Sequence, residues 1–216
     1  MNLRVFENLE DLSTAAARAV RESGARTIGL TGGSTPERMY ELLSVSLPEE
    51  LTWVLIDERY VPMTDPQSNA AMIERTLFAR GVPPRWLRFQ TELNDPAQTA
   101  RAFEVEWKRL GIEDLDLVLL GCGDDGHTAS LFPGTPVLAV EDRIASEVFV
   151  PRLDQWRVTI TMPVIRAAKQ RIVLASGAGK ASVLREVREG VAHPISLATA
   201  GLDTWWMVDR EAAGAL

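Results

Sequence analysis

The sequence predicts an α/β protein with a largely parallel β-sheet covered by helices on both faces. Short apolar runs alternate with longer amphipathic stretches along most of the chain, which is typical of parallel strands joined by crossover helices. Polar, glycine-containing segments follow several of the apolar runs. No internal repeat or low-complexity linker interrupts the pattern, so we expect residues 1–216 to form a single domain.

The elements follow from the apolar spacing and the helix-ending residues. A helix over residues 9–23 ends at Gly24. A strand over 27–30 leads into a glycine loop and then a helix that begins near Pro36, where the missing N–H of proline costs nothing. The other predicted elements are strands at 53–56, 116–120, 158–161, 172–175 and 205–208, and helices at 69–79, 97–110 and 179–188.

Composition and charge restrict the class of partner. Apolar residues make up 46% of the chain and charged residues 25%, as in ordinary globular proteins. The single cysteine excludes an internal disulfide, and no run of about 18 apolar residues is present, so we expect a cytoplasmic protein that does not enter membranes. A net charge of −7 argues against nucleic acid. Any bound phosphate must therefore be held by local cations and backbone N–H groups. We expect a monomer or a weak homo-oligomer.

Three polar segments follow the predicted strands that end at Leu30, Ile56 and Leu120. In open parallel sheets, ligands bind outside the carboxyl ends of the strands. We therefore expect the three segments to meet at one site.

The first segment, Thr-Gly-Gly-Ser-Thr-Pro at residues 31–36, joins a strand to a helix. The glycines let backbone N–H groups approach an anion, and the helix start adds partial positive charge. The alternative is an ordinary turn in which Ser34 or Thr35 caps the helix. The segment has neither the P-loop nor the dinucleotide-binding pattern, so no nucleotide cofactor is expected.

The second segment is Asp57-Glu58-Arg59. Alternating strand geometry directs Asp57 and Arg59 to the same side and Glu58 to the other, so the first and third residues are the site candidates. The alternative is a solvated cluster at the surface. Asn69, which follows Ser68, can equally belong to the cap of the next helix.

The third segment, residues 121–127, has three glycines and ends at His127, one of only two histidines in the chain. Because histidine titrates near neutrality, it can take a proton from water. Asp124 and Asp125 are both near enough in sequence to orient its ring. The alternative is that His127 caps a helix over residues 129–131.

The remaining candidates favour ordinary structural roles when taken singly. His193 is expected to be structural, and Cys122 to be a small packing residue. With one cysteine and two distant histidines, no metal site is expected. Taken singly, Arg157 and Lys180 are each interpreted as ordinary surface cations.

Taken together, these segments resemble the 6-phosphogluconolactonase family. The resemblance runs in order from about residue 5 to 209, and Gly-Asp-Asp-Gly-His-Thr-Ala-Ser-Leu-Phe-Pro at residues 123–133 is its most specific part. It also includes residues 32–36, 57–62, 68–69, 157–159 and 177–180. The chain departs from the family pattern at residues 151–156, where the family often has a proline-rich approach, and it matches loosely after Lys180.

The resemblance implies a three-layer α/β/α, modified Rossmann-like fold shared with glucosamine-6-phosphate deaminases. It implies hydrolysis of 6-phospho-D-glucono-1,5-lactone to 6-phosphogluconate without a cofactor. His127 would be the general base, oriented by Asp125 or Asp57, and Arg59 or backbone N–H groups would meet the oxyanion. By motif, the substrate-binding residues would be Gly32, Gly33, Ser34, Thr35, Asn69, Arg157 and Lys180.

Two alternatives to lactone hydrolysis stay open. A glucosamine-6-phosphate deaminase has Asn-Glu-Pro after its histidine, where this chain has Ser-Leu-Phe-Pro at residues 130–133, so a carboxylate expected to support ring opening is absent. A non-catalytic sugar-phosphate sensor would keep the pocket without the reaction, but the chain carries no DNA-binding appendage.

Overall fold

The structure, a computed structural model, describes residues 1–45, 50–83 and 85–214. Residues 46–49, 84, 215 and 216, which the single-domain prediction includes, lie outside the described residues. The strands are β1 (Asn2–Phe6), β2 (Thr27–Leu30), β3 (Thr52–Leu55), β4 (Asp57–Arg59), β5 (Trp86–Leu87), β6 (Leu117–Gly121), β7 (Ala145–Val150), β8 (Gln155–Ile160), β9 (Gln170–Ala175) and β10 (Thr204–Asp209). The helices are α1 (Leu9–Glu22), α2 (Ser34–Leu43), α3 (Asn69–Thr76), α4 (Pro96–Arg109), α5 (Met162–Ala167), α6 (Ala181–Arg188), α7 (Pro194–Thr199) and α8 (Arg210–Ala213).

The predicted parallel sheet is confirmed. Seven strands pair in the order β1-β10-β9-β6-β2-β3-β5, and every pair is parallel. The helices flank this sheet. Strand β2 lies between β3 and β6, so the chain moves outward from β2 in one direction and later returns to its other side. A switch of this kind opens a crevice at the carboxyl ends of the strands.

A second, antiparallel sheet was not predicted. It has the order β4-β8-β7, so the strand predicted at residues 158–161 is present as β8 but belongs to this sheet. Only a short 3₁₀ turn, Pro151–Leu153, separates β7 from β8, and a parallel pair needs a much longer connection. Ile56 links the two sheets, because its N–H bonds Leu30 at 3.0 Å and its carbonyl bonds Ile160 at 2.8 Å.

The helix considered after His127 is also wrong. Residues 128–131 form a tight turn closed by an isolated bridge between Thr128 and Leu131, and Ala129 has a left-handed φ of 49°. Strands β1, β5 and β7 and helices α5 and α7 were not predicted. They are short or lie partly at the surface, so their apolar residues do not form the patterns that identify an element.

One apolar core connects the sheets and the helices. Strand β3 is buried along its whole length. Helix α4 packs an apolar face on this core, since Phe103 and Trp107 are buried and Phe103 stacks on Phe89 with 4.0 Å between ring centroids. Among the described helices, none is both long enough and apolar enough to cross a membrane.

Candidate active site

An open pocket of about 210 Å³ lies at the carboxyl ends of four adjacent strands, β9, β6, β2 and β3. All three polar segments that the sequence singled out border it, together with the loop after β9. Ten of the eleven predicted site residues line it: Gly32, Gly33, Ser34, Thr35, Asp57, Arg59, Asn69, His127, Arg157 and Lys180. The eleventh, Asp125, lies behind His127 and contacts its ring.

The glycine loop presents the start of α2 to the pocket. Gly33 is the N-cap residue with φ of 102°, so the alternative in which Ser34 or Thr35 caps the helix is wrong. A glycine cap has no side chain to occupy the first N–H groups, which leaves them for an anion. Gly32 packs against Asn69, and a Cβ added there would lie 1.9 Å from the Asn69 amide oxygen.

Strand β4 separates its side chains as the alternation predicted. Asp57 and Arg59 face the pocket, while Glu58 is buried against the start of α3. Glu58 accepts bonds from the backbone N–H groups of Asn69 and Ala70, each at 2.7 Å. Burial raises the pKa of the Glu58 carboxyl, and these backbone bonds act in the opposite direction. The alternative of a solvated surface cluster is therefore wrong.

The two residues at the start of α3 have different roles. Ser68 is the N-cap, and its hydroxyl accepts the backbone N–H of Ala71. Asn69 instead directs its amide toward the pocket side, where it donates to the Asp57 carbonyl at 2.9 Å. Ser68 therefore caps the helix, and Asn69 lines the pocket.

Two arginines face each other across the antiparallel pair of β4 and β8. Arg59 and Arg157 are direct register partners, and like charges in that position repel. The Nε atom of each is buried without a hydrogen-bond partner among the described residues. Burial lowers the pKa of Arg157, opposed by the nearby Asp57 charge, yet a guanidinium stays protonated near neutral pH. The pair therefore forms a cationic wall suited to an anion.

His127 is oriented by Asp125. The ring Nδ1 lies 2.5 Å from Asp125 Oδ1, and the same oxygen accepts the His127 backbone N–H at 3.1 Å. The ring stacks on Phe132 with 4.1 Å between centroids. The other two candidates are engaged elsewhere: Asp124 pairs with Lys180, and Asp57 accepts the Ser130 hydroxyl at 2.7 Å.

The ionisation of Asp125 fixes which nitrogen of His127 is basic. Partial burial disfavours the charged carboxylate, but the His127 bond and the nearby Arg152 charge outweigh it and lower the pKa of Asp125 to about 2. A carboxylate can only accept, so Nδ1 carries the hydrogen in the neutral ring. The lone pair is then on Nε2, the nitrogen that does not contact Asp125.

Two glycines allow the close approach of backbone and rings in the turn after β6. A Cβ added at Gly123 would lie 2.0 Å from His127 Nδ1. Gly126 has φ of 78° and packs against the ring of His193. His193 in turn caps α7 and contacts Glu186 through Nε2 at 2.7 Å. The structural role expected for His193 is confirmed.

The loop after β9 completes the pocket with Ser176 and Lys180. Gly177 has φ of 91° and caps the 3₁₀ turn that carries the lysine. The Ser176 hydroxyl and the Gly177 N–H both bond the carboxylate of Asp209. Sequence reasoning noted Gly177 and Lys180 but missed Ser176, which no pattern marks.

Other contributors were missed or only partly recognised. Ser130, which holds Asp57, lies inside the specific motif of residues 123–133 but was given no role. Arg152 contacts Asp125 from a distant loop, and no sequence signal indicates that contact.

Cys122 is buried, and burial raises the pKa of its thiol to about 12, in keeping with a packing residue. In the described parts of the chain, no cluster of three or more His, Cys, Asp and Glu side chains is arranged to hold a metal ion.

Comparison with known proteins gives a consistent set of relatives. The family model for glucosamine-6-phosphate isomerases/6-phosphogluconolactonase matches residues 5–206. A 6-phosphogluconolactonase from Synechocystis is 36% identical, with 93% of this chain and 89% of the relative covered. The structure of 6-phosphogluconolactonase from Trypanosoma cruzi superposes with a TM-score of 0.86 at 30% identity, covering 100% of this chain and 96% of that one. A monomeric glucosamine-6-phosphate deaminase also superposes with a TM-score of 0.86, at 25% identity and full coverage of both chains.

Proposed function

The chain belongs to the glucosamine-6-phosphate isomerase/6-phosphogluconolactonase family, and on that premise we propose that it hydrolyses 6-phospho-D-glucono-1,5-lactone to 6-phosphogluconate with His127 as general base. The observation that carries the proposal is the pairing of His127 with Asp125 at the edge of a pocket that is also lined by the cations Arg59, Arg157 and Lys180. Relatives that are named 6-phosphogluconolactonase are similar to this chain over most of its length.

The reaction needs one activated water. Nε2 of His127 takes a proton from the water as its oxygen bonds to the lactone carbonyl carbon, and Asp125 stabilises the resulting imidazolium. When the tetrahedral intermediate collapses, the bond from that carbon to the ring oxygen breaks and His127 returns the proton to the leaving oxygen. A lactone is an activated ester, so no covalent nucleophile is required.

The cationic groups have two tasks in this proposal. The oxyanion that forms at the carbonyl is stabilised by Arg59 or by backbone N–H groups of the glycine loops. The phosphate is held by Arg157, Lys180 and the start of α2 with Gly33 and Ser34. Holding the phosphate fixes the ring relative to the water, and that proximity lowers the barrier further.

Two rival activities lead to different measurements. The fold is shared with a glucosamine-6-phosphate deaminase, and that activity would release ammonia from glucosamine 6-phosphate. A sensor would be stabilised thermally by 6-phosphogluconate without turning over the lactone. The paired His127 and Asp125 favour catalysis, because a sensor has no need of an oriented base.

The test is lactone hydrolysis by the wild type and by two variants, followed by acid release at constant pH with the spontaneous rate subtracted. Replacing His127 by Ala removes the base, so kcat should fall roughly 10²–10⁴-fold with a small change in KM. Replacing Lys180 by Ala should mainly raise KM. Unchanged kcat in the first variant, or ammonia release in place of acid release, refutes the proposal.

The setting of the reaction is proposed from the same features. The substrate is a small sugar-phosphate lactone, no cofactor takes part, and neither nucleic acid nor a membrane is a partner. The protein works as a monomer or weak homo-oligomer in the cytoplasm, supported by its single buried thiol. One continuous apolar core supports a single domain over residues 1–216.

A further inference from the structure

We propose that Arg152 is a positioning residue for the reaction: it holds the second oxygen of Asp125, thereby fixes the orientation of His127, and offsets the charge of the Asp125 carboxylate. The inference rests on the proposed function, because it assigns a role within the same site. It concerns a residue outside the pocket lining, in the segment where the chain departs from its family pattern.

Arg152 reaches the site from the second sheet. It lies in the 3₁₀ turn Pro151–Leu153 between β7 and β8, and its Nη2 lies 2.7 Å from Asp125 Oδ2. The other oxygen of Asp125 contacts His127. The carboxylate therefore has one oxygen on the base and the other on a cation, and this arrangement fixes its rotation.

Phe132 contacts two of these groups, His127 and Arg152, with its ring. Its ring is buried and stacks on His127. The Arg152 guanidinium lies 5.2 Å from the centre of that ring, a distance at which a cation is attracted to an aromatic face. Arg152 thus contacts both groups that hold the imidazole, although it is not itself in contact with the pocket.

The charge of Arg152 affects protonation of the base. A cation bound to Asp125 reduces the negative potential at the His127 ring, and its loss would favour the imidazolium, which cannot act as a base. The other charged groups around the ring lie on the same turn, on β4, on β8 and in the loop after β9. They are Asp124, Asp57, Arg59, Arg157 and Lys180, and the His193–Glu186 pair lies behind the turn at Gly126. None of these groups bonds the ring as Asp125 does, so the cation that binds Asp125 has the most direct influence on it.

The experiment compares pH profiles of kcat/KM in the wild type, Arg152→Met and Arg152→Lys. Methionine keeps an unbranched stem and removes the charge. We expect the midpoint of the acid limb of the profile to shift to higher pH by roughly half a pH unit or more. At neutral pH, kcat should fall roughly two- to fivefold with KM little changed. Lysine restores the charge, so the acid limb of Arg152→Lys should lie close to that of the wild type.

Leu153→Ala is the matched control, because Leu153 is an exposed, uncharged neighbour of Arg152 in the same turn. It should leave the profile unchanged. The Arg152 side chain is 53% exposed, so its variants should fold, which thermal melting checks, and Arg152→Gln provides a second charge-free side chain.

Each outcome bears on one of the two proposals. An acid limb that stays in place in both Arg152→Met and Arg152→Gln overturns the inference, as does an equal shift in Leu153→Ala. If Arg152→Lys fails to restore the limb, the charge argument is overturned. Activity that survives in His127→Ala instead refutes the proposed function itself, whatever the Arg152 variants do.

Discussion

The close contact between Gly123 and the His127 ring gives the sharpest prediction. In Gly123→Ala, the new Cβ would lie 2.0 Å from Nδ1, 2.1 Å from Cε1 and 2.7 Å from Cγ. Real atoms do not approach so closely, so the ring must move by about an ångström or more. It cannot do so without leaving either its bond to Asp125 or its stacking on Phe132.

The expected loss follows from that displacement. A misplacement of about 1 Å in a catalytic group can cost about 10²-fold in rate, so kcat of Gly123→Ala should fall at least roughly 10²-fold. Overpacking should also destabilise the fold by ~1–3 kcal/mol. The matched control is Gly121→Ala, two residues earlier, where the nearest atom to the new Cβ is Thr31 Oγ1 at an ordinary 3.6 Å. This control should lose little of either property.

A double-mutant cycle isolates the steric cause. In a His127→Ala background the atoms that the new methyl group meets are gone, so Gly123→Ala should then change neither the residual rate nor the urea midpoint appreciably. The assays are acid release from the lactone and urea unfolding. The reasoning is refuted if Gly123→Ala resembles Gly121→Ala, or if its effect is as large without the imidazole as with it.

Two further predictions concern stability. Gly32→Ala should destabilise the fold by ~1–3 kcal/mol in urea unfolding, because its Cβ would lie 1.9 Å from the buried Asn69 amide; an equal loss in an Asn69→Ala background would contradict this. Because the pKa of Asp125 is lowered to about 2 in the folded protein, its contribution is complete above about pH 4 and disappears as pH falls through 2. Wild type should therefore lose ~2 kcal/mol more than Asp125→Asn across that range, and parallel stability curves would contradict it.

Much of the fold could be predicted because its main elements depend on local patterns. The strands of the parallel sheet that lie near its centre are continuous apolar runs, and α1, α2 and α4 carry clear apolar faces, so their positions were predicted to within a few residues. The strands β4, β7 and β8 were not recognised as a separate sheet. The pairing of β4 with β8 depends on contacts between residues about 100 positions apart, such as Asp57 with Thr159, and local spacing carries no information about them.

The sequence by itself determined which residues could form the site. A glycine loop, a pair of charged residues and a histidine each follow a predicted parallel strand. Because parallel strands end at the same edge of a sheet, the sequence alone predicts that these segments meet there. The alternation in β4 likewise determined that Asp57 and Arg59 share a side.

Only the tertiary structure decided which carboxylate orients His127. Asp57, Asp124 and Asp125 are all acceptable from spacing, and the choice depends on what else binds each one: Ser130, Lys180 and Arg152 respectively. Those partners come from other loops, at distances that chain order does not encode. Side-chain competition in three dimensions, which a linear pattern cannot represent, therefore determines the final arrangement of the site.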